Sequence, residues 1–173
     1  GSDGSIYIAG NTTGDLDGQT NSGGNDAFIS KYNPDGTKDW TRLLSSSSSD
    51  SGRGLTTGLD GSIYFVNGNS INKFNPNGTK ESTSLLNASS TRTLTTGSDG
   101  SIYITGYTDG DLDGQTNSGG NDAFISKYNS DGTIDWTRLL GSSQNDVGSA
   151  LTTGSDGSIY ITGSTEGDLD GQT

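Results

Sequence analysis

Residues 99–106 read DGSIYITG, and the same turn-and-strand pattern begins at Asp3, Asp60 and Asp156. The four copies are separated by 57, 39 and 57 residues, so the chain is built from tandem repeats. Ile and Tyr alternate after each Asp-Gly turn, which is typical of a β-strand whose two faces meet different surroundings. This stretch decides the fold class, because it sets a repeat of roughly 40 residues with an optional insertion.

Each repeat holds four short strand candidates in a fixed order. The SIY strand is followed by DAFISKYN at 26–33 and 122–129, with INKFN at 71–75 as a short equivalent. Next comes a turn such as NPDGTK, in which Asp or Asn and then Gly supply the backbone angles of a tight hairpin. The third strand is DWTRLL or ESTSLL, and the fourth is a short run ending in LTTG. Four strands per repeat, without a helical period, predict an all-β chain of β-propeller blades, each a four-stranded antiparallel sheet.

Counting strands from Asp26 divides the chain into blades. Three blades are predicted, at 26–68, 70–108 and 122–165. The remaining segments are an orphan strand with its inserted loop (1–25), a second inserted loop (109–121) and a truncated loop (166–173). Propellers use about 4 to 8 blades. We therefore expect an incomplete segment of a larger propeller, whose partners are further blades of the same chain or another copy.

Composition excludes several classes of function. The chain has 9 Lys and Arg against 21 Asp and Glu, a formal charge of −12. That field repels phosphate backbones, so nucleic acid is not an expected partner. No run approaches the ~20 apolar residues of a membrane helix, so no membrane insertion is expected. The absence of Cys, His and Met removes thiolate chemistry, the usual zinc ligands and the imidazole of a hydrolase triad.

The inserted loops carry the densest group of carboxylates. Residues 109–114 read DGDLDG, which is the D-x-D-x-D-G opening of many calcium loops. An EF-hand is excluded, because Gly120 stands at the twelfth position, where a bidentate Glu is required. Two interpretations stay open: a propeller-type calcium loop, or a soluble loop built from Asx-turns without metal. The candidate metal ligands are Asp109, Asp111, Asp113, Asp122, Asp15, Asp17, Asp26, Asp168 and Asp170.

The acidic and aromatic residues suggest two other functions, which are glycoside hydrolysis and carbohydrate binding. Paired carboxylates can hydrolyse glycosides, but these acids recur in every long repeat, whereas a catalytic pair is normally unique within a domain. Trp40 and Trp136 could stack on sugars, although their fixed place in the repeat favours packing between blades. The sequence therefore predicts a non-enzymatic scaffold or adhesion module without catalytic residues. A carbohydrate-binding propeller is the alternative, and part of a propeller hydrolase is less favoured.

Several motifs of the last repeat occur together in a known family. GNDAFISKYN at 120–129, the turn at 131–132, Trp136 and DGSIYITG at 156–163 match a G-D-A-F strand, a D-G turn, a Trp-bearing strand and a D-G-x-x-Y-V-T-G strand. In this combination the chain resembles the bacterial SBBP, or seven-bladed beta-propeller, repeat family. The middle repeat departs from the pattern, with Ser82 near the place of Trp. The resemblance implies an extracellular or cell-surface bacterial protein, and surface glycans or proteins are then expected partners.

Overall fold

The computed structural model describes residues 1–44 and 50–172, which form strands and turns. No helix occurs in these two ranges, and so none that is long and apolar enough to cross a membrane. Residues 45–49, inside the predicted blade 26–68, and Thr173, inside the predicted loop 166–173, lie outside the described residues. The all-β prediction is confirmed. The chain divides into two compact units, Gly1–Ser84 and Leu85–Thr173.

The first unit holds two antiparallel sheets. Its strands are β1 (Ile6–Thr12), β2 (Asp26–Tyr32), β3 (Lys38–Leu44), β4 (Gly52–Thr57), β5 (Ile63–Asn67), β6 (Ser70–Phe74) and β7 (Lys80–Leu85). One sheet has the order β1-β2-β3 and the other the order β4-β5-β6-β7. The two sheets meet where β4 contacts β1 and β2. The core that they share consists of Ala27, Ile29, Trp40, Ile63, Phe65 and Phe74.

The second unit repeats this plan. Its strands are β8 (Ser90–Thr96), β9 (Ile102–Thr108), β10 (Asp122–Tyr128), β11 (Ile134–Leu140), β12 (Asp146–Thr153) and β13 (Ile159–Thr165). The first four form one sheet in the order β8-β9-β10-β11, while β12 and β13 form a two-stranded sheet. β12 contacts β8, β9 and β10. Ile102, Ile104 and Phe124 are buried in this unit.

Asp-Gly-Ser turns connect the Gly/Thr-rich strands to the SIY strands. In the turn between β8 and β9, Gly100 N–H donates to Gly97 O (3.0 Å) and Gly97 N–H donates to Ser101 O (2.8 Å). Gly100 has φ 82°, which a residue with a side chain rarely adopts. Asp99 accepts hydrogen bonds from the Ser101 N–H (3.0 Å) and hydroxyl (2.9 Å). The same carboxylate contacts fix the turns at Asp3, Asp60 and Asp156.

The sheets group the strands differently from the predicted blades. Each four-stranded sheet begins at a Gly/Thr-rich strand, β4 or β8, and ends at the strand that follows the second D-G or N-G turn, β7 or β11. The predicted blade 26–68 therefore spans two sheets, and the strand placed as an orphan in 1–25 pairs with β2. The physical reason is the tight Asp-Gly-Ser hairpin, which keeps β4 beside β5 and β8 beside β9.

The insertion lies where the sequence places it, between the SIY strand and the next strand of the same sheet. Thirteen residues separate β9 from β10, and equally many separate β1 from β2. In the middle sheet the same two strand types, β5 and β6, are joined by Gly68 and Asn69 alone, and Asn67 pairs with Ser70. The insertion is therefore an addition to the sheet that strand pairing does not require.

Replacement of Gly106 tests how closely β9 packs against its neighbours. A Cβ at Gly106 would lie 2.0 Å from Ser90 O and 3.0 Å from the Phe124 ring. We expect Gly106→Ala to lower the free energy of unfolding by about 2–4 kcal/mol, because backbone and ring must both move. Urea denaturation followed by circular dichroism measures this change. The control is Gly110→Ala, where nothing lies within 4 Å, and equal midpoints for the two variants would contradict the packing account.

Candidate functional site

The Asp-rich insertion contains a tight two-residue hairpin. Leu112 and Gln115 exchange two backbone hydrogen bonds, at 3.0 and 2.9 Å. Between them Asp113 has φ 48° and Gly114 has φ 78°, the left-handed pair of a type I′ turn. The same hairpin recurs at Leu16–Gln19 and Leu169–Gln172. Asp-Gly is the residue pair that this turn prefers, so the D-G of D-x-D-x-D-G has a backbone role before any ligand is considered.

The hairpin is fixed to the strand that forms the outer edge of the sheet. The Thr137 hydroxyl on β11 donates to the Asp113 carboxylate at 2.7 Å. In the first unit, Asp17 contacts the side chains of Thr41 and Lys38 on or beside β3. Gln19 also donates to Thr41 O (2.6 Å) and accepts from the backbone N–H of residue 43 (3.0 Å). The insertion therefore covers groups on the edge of β3 that are otherwise open to pairing with another chain.

The other predicted ligands lie apart from one another, and those with a hydrogen bond to the chain bind different partners. Asp111 accepts from Asn117 N–H at 3.0 Å, and Asp15 makes the same contact with Asn21. Asp109 instead shares its hydrogen bonds with Ser89. Asp170 occupies the left-handed position of the third hairpin, and Asp168 precedes it by two residues. Within residues 1–44 and 50–172, no three acidic side chains come together as a possible metal cluster.

Two of the predicted ligands are buried at the starts of strands. Asp26 and Asp122 are 0% exposed, and each accepts one backbone hydrogen bond, from Ser22 (2.9 Å) and Ser118 (2.8 Å). The Oδ1 atom of each has no hydrogen-bond partner in the described part of the chain. These two carboxylates differ from the exposed acids of the hairpin, because burial leaves one of their oxygens without water or a donor.

Asp146 is a third buried carboxylate, and the sequence prediction did not include it. It begins β12, is 1% exposed and accepts from the Ser142 N–H (2.6 Å) and hydroxyl (2.9 Å). Burial acts to raise the pKa of Asp146, but the Ser142 hydrogen bonds and the nearby Thr165 hydroxyl, which itself donates to Gly167 O, outweigh it and hold the pKa below its usual value. In the sequence, Asp146 lies within QNDVG (144–148), a polar stretch that is typical of a loop. The available signal is its position 96 residues after Asp50, the spacing that also separates Asp26 from Asp122.

Trp40 is buried and Trp136 is half-buried, and both pack against neighbouring side chains. Trp40 donates from Nε1 to Pro76 O at 3.3 Å, and its ring lies beneath the Arg42 guanidinium at 5.3 Å. Arg42 Nε donates to Gly78 O at 3.0 Å, so both side chains hold the turn between β6 and β7. Trp136 has a similar Arg contact at 5.7 Å and a tilted ring contact with Tyr103 at 6.2 Å. These are packing contacts, the role that the fixed place of the tryptophans in the repeat favours over stacking on sugars.

Two family models match the chain. The SBBP model, described as a beta-propeller repeat, matches residues 135–170. A model described as a beta-propeller domain of unknown function, DUF5122, matches residues 1–41 and 97–137. The SBBP match lies in the second unit, and the DUF5122 model matches one range in each unit.

One curated relative and one solved structure extend the comparison. "Regulatory protein FlaEY" of Caulobacter vibrioides (strain ATCC 19089 / CIP 103742 / CB 15) is 32% identical over 177 residues, which covers 99% of this chain. The chain spans 15% of the length of that protein. The crystal structure of a protein of unknown function from Bacteroides caccae has a TM-score of 0.55 at 12% identity. The match covers 90% of this chain and 49% of the other, and at this identity it shows similarity of fold alone.

Replacement of Asp113 tests the structural role of the hairpin acid. Asp113→Ala removes the carboxylate that accepts from the Thr137 hydroxyl. It also leaves an Ala at positive φ, where no side-chain hydrogen bond offsets the strain. We expect a loss of about 1–2 kcal/mol in the free energy of unfolding. Asp113→Asn keeps an acceptor oxygen and tolerates the left-handed region, so its stability should remain near that of the wild type. Urea denaturation in buffer with a chelator measures both variants, and equal losses would contradict this role.

The turn aspartates predict a fall in stability under acid. The backbone hydrogen bond from Ser101 lowers the pKa of Asp99 from its ordinary value of 3.8, with further help from the Ser101 hydroxyl and Lys127. A pKa that is depressed in the folded state adds stability above the unfolded value, and this stability is lost as pH falls through the folded pKa. We therefore expect the free energy of unfolding to fall as the pH drops below about 4.

The control for this titration is Asp99→Asn. Protonation of other acids relieves repulsion within a chain of charge −12 and acts in the opposite direction. Comparison of the two proteins at each pH removes that shared contribution. The wild type should lose more stability between about pH 5 and pH 2 than the variant, and parallel curves would refute the contribution of Asp99.

Proposed function

The chain belongs to the β-propeller repeat proteins, and we propose that it serves as a non-catalytic structural and interaction module. One observation carries the proposal: the recurring acids are occupied in holding turns, hairpins and strand starts. Asp99 binds Ser101, Asp111 binds Asn117 and Asp113 binds Thr137. The sequence also lacks His and Cys. A set of acids that repeats with the fold and serves its backbone supports a scaffold better than a reaction centre.

We further propose a place for the module in a secreted or cell-surface bacterial protein, as a scaffold or adhesion unit. The acidic surface and the absence of Cys in the sequence are compatible with that setting. The curated relative carries the words "regulatory protein" in its name, and a binding module could also serve a protein of that kind. Calcium would stabilise the inserted loops, and surface glycans or proteins are the proposed external partners.

The partner that the structure supports best is a strand of the β2 and β10 type from another repeat. Phe124 on β10 pairs directly with Gly106 on β9, and Phe28 pairs in the same way with Gly10. In both pairs the ring lies over the Gly, within 3.0 Å of where a Cβ would stand. Gly163 holds the equivalent position on β13, which pairs only with β12 among the described strands. The outer edge of β13 thus offers backbone groups and a Gly without its Phe.

A cavity beside β13 matches this missing side chain. It has a volume of about 180 Å³ and is bordered by Gly163, Leu140, Val147 and Ile161. On β13 Tyr160 is 56% exposed, whereas Tyr103, its equivalent on β9, is 6% exposed beside Trp136. An incoming D-A-F-I-S-K-Y strand would add backbone pairing along β13 and a Phe for the cavity. Such a strand belongs to a further blade of the same chain or of another copy.

A synthetic peptide tests this docking. The peptide NDAFISKYN, which has the sequence of residues 121–129, should bind the protein and slow hydrogen exchange of the β13 amides. The Phe→Ala peptide should bind at least roughly tenfold more weakly, because it leaves the cavity unfilled. Fluorescence anisotropy of labelled peptides measures affinity.

A scrambled peptide of equal composition controls for charge and for general stickiness. Equal binding by all three peptides, or protection at strands other than β13, would overturn the docking proposal. A glycan array run on the same protein examines the alternative function. Selective binding to one class of sugar would favour the carbohydrate-binding propeller over the scaffold.

A further inference from the structure

We propose that Asp122 and Asp146 together hold a calcium ion at the starts of β10 and β12. The inference rests on the proposed calcium stabilisation of the loops, and it moves the ion from the exposed D-x-D-x-D-G hairpin to a buried pair of carboxylates. An equivalent site in the first unit is formed by Asp26 and Asp50. The expected binding is therefore two calcium ions per chain.

Each of the two carboxylates has one oxygen without a hydrogen-bond partner among the described residues. Asp122 uses Oδ2 to accept from Ser118 N–H at 2.8 Å, while its Oδ1 has no hydrogen-bond partner. Asp146 uses Oδ2 for the two donors of Ser142, and its Oδ1 also has no partner. Both residues are at least 99% buried. A buried carboxylate oxygen without a donor is costly, and a bound ion or water is the usual reason that one persists.

Gly141 and Ser142 are consecutive residues, and each of them contacts one of the two carboxylates. Asp146 N–H donates to Asn121 O at 2.6 Å, which joins the residue before Asp122 to the start of β12. A Cβ on Gly141 would lie 2.1 Å from Asp122 Oδ1. The next residue, Ser142, binds Asp146 directly. Because consecutive Cα atoms are about 3.8 Å apart, this two-residue segment brings the two carboxylates to the same part of the fold.

Neither Asp122 nor Asp146 forms an ion pair with a lysine or arginine of the described residues. The ion pairs of the described residues join lysines to Asp17, Asp39, Asp99, Asp135 and Glu81. Neither buried carboxylate is among them. A buried carboxylate without a positive partner is costly, and a bound cation compensates its charge. A divalent cation balances the charge of the pair in full.

The arrangement repeats in the first unit, 96 residues earlier. Asp26 is 0% exposed and its Oδ1 lacks a partner, and Asp50 has a buried Oδ2 without one among the described residues. Asp50 N–H donates to Asn25 O at 2.6 Å, the same bond as between Asp146 and Asn121. Exposed turn acids show no such pattern. Asp50 is only half-buried and its Oδ1 accepts from Asn67 Nδ2 (3.2 Å), but in both units each acid of the pair has one oxygen without a partner among the described residues.

Calcium fits this site better than other divalent ions. The sequence has no His or Cys, so the soft ligands that favour zinc are missing. Magnesium gives up its water reluctantly and demands near-ideal octahedral geometry, which a buried site disfavours. Calcium accepts six to eight oxygens in flexible geometry. The two carboxylates supply the charge, and loop carbonyl oxygens and water would complete the shell.

Calcium titration of the full chain tests the site. Isothermal titration calorimetry should give two sites in the wild type and one in Asp122→Asn or Asp146→Asn. The wild-type melting temperature should rise by about 10–20 °C at a calcium concentration 100 times the dissociation constant, because two sites are filled, and each variant should show about half of that rise. Asn preserves an acceptor for Ser118 or Ser142, and circular dichroism in chelator verifies that each variant is folded.

The matched control is the double variant Asp111→Asn, Asp113→Asn in the exposed hairpin of the same unit. It should keep both calcium sites and the full rise in melting temperature. If this control loses a site while Asp122→Asn and Asp146→Asn keep two, the buried site is refuted although calcium still stabilises the loops. If the wild type binds no calcium, both the buried site and the proposed calcium stabilisation are refuted, and the docking of a strand on β13 is unaffected.

Discussion

A three-residue turn contact, in which an Asp or Asn oxygen accepts from the Ser or Thr two residues later, sets the geometry of this fold. A Gly at positive φ stands between the two residues, and the hairpin can reverse only because that position lacks a Cβ. The contact recurs at six hairpins and at the turn before β1, with acceptors Asp3, Asp35, Asp60, Asn77, Asp99, Asp131 and Asp156. Only 25% of the residues in the chain are hydrophobic. The turns therefore contribute strongly to determining which strands are neighbours.

This construction explains the acidic composition without a ligand. A carboxylate is a strong acceptor for a backbone N–H, so a fold with many identical turns gathers negative charge as a by-product. The exposed acids of the inserted hairpin belong to the same class, since Asp113 serves Thr137 and Asp111 serves Asn117. Asp122 and Asp146 differ from them physically, because burial removes the water that would otherwise satisfy their second oxygen.

The sequence predicted the strands well because alternation and D-G turns are local signals. It did not predict how strands divide among sheets, since chain order alone does not say which connection is a hairpin and which leads to the next sheet. The D-x-D-x-D-G motif suggested converging carboxylates, but Asp113 and Gly114 adopt the left-handed angles of a two-residue turn instead. Asp146 was missed because burial arises from the packing of β12 on β9 and β10, which no local pattern reports.

The junction between the second and third strands of a sheet is open to variation in length. The same connection is two residues long between β5 and β6 and thirteen residues long between β9 and β10, yet both pairs keep their antiparallel register. Each doubling of a flexible loop costs only about 0.6 kcal/mol in closure entropy. An engineer could therefore graft a recognition loop between Asn67 and Ser70, and evolution could diversify one blade at a time from a common frame.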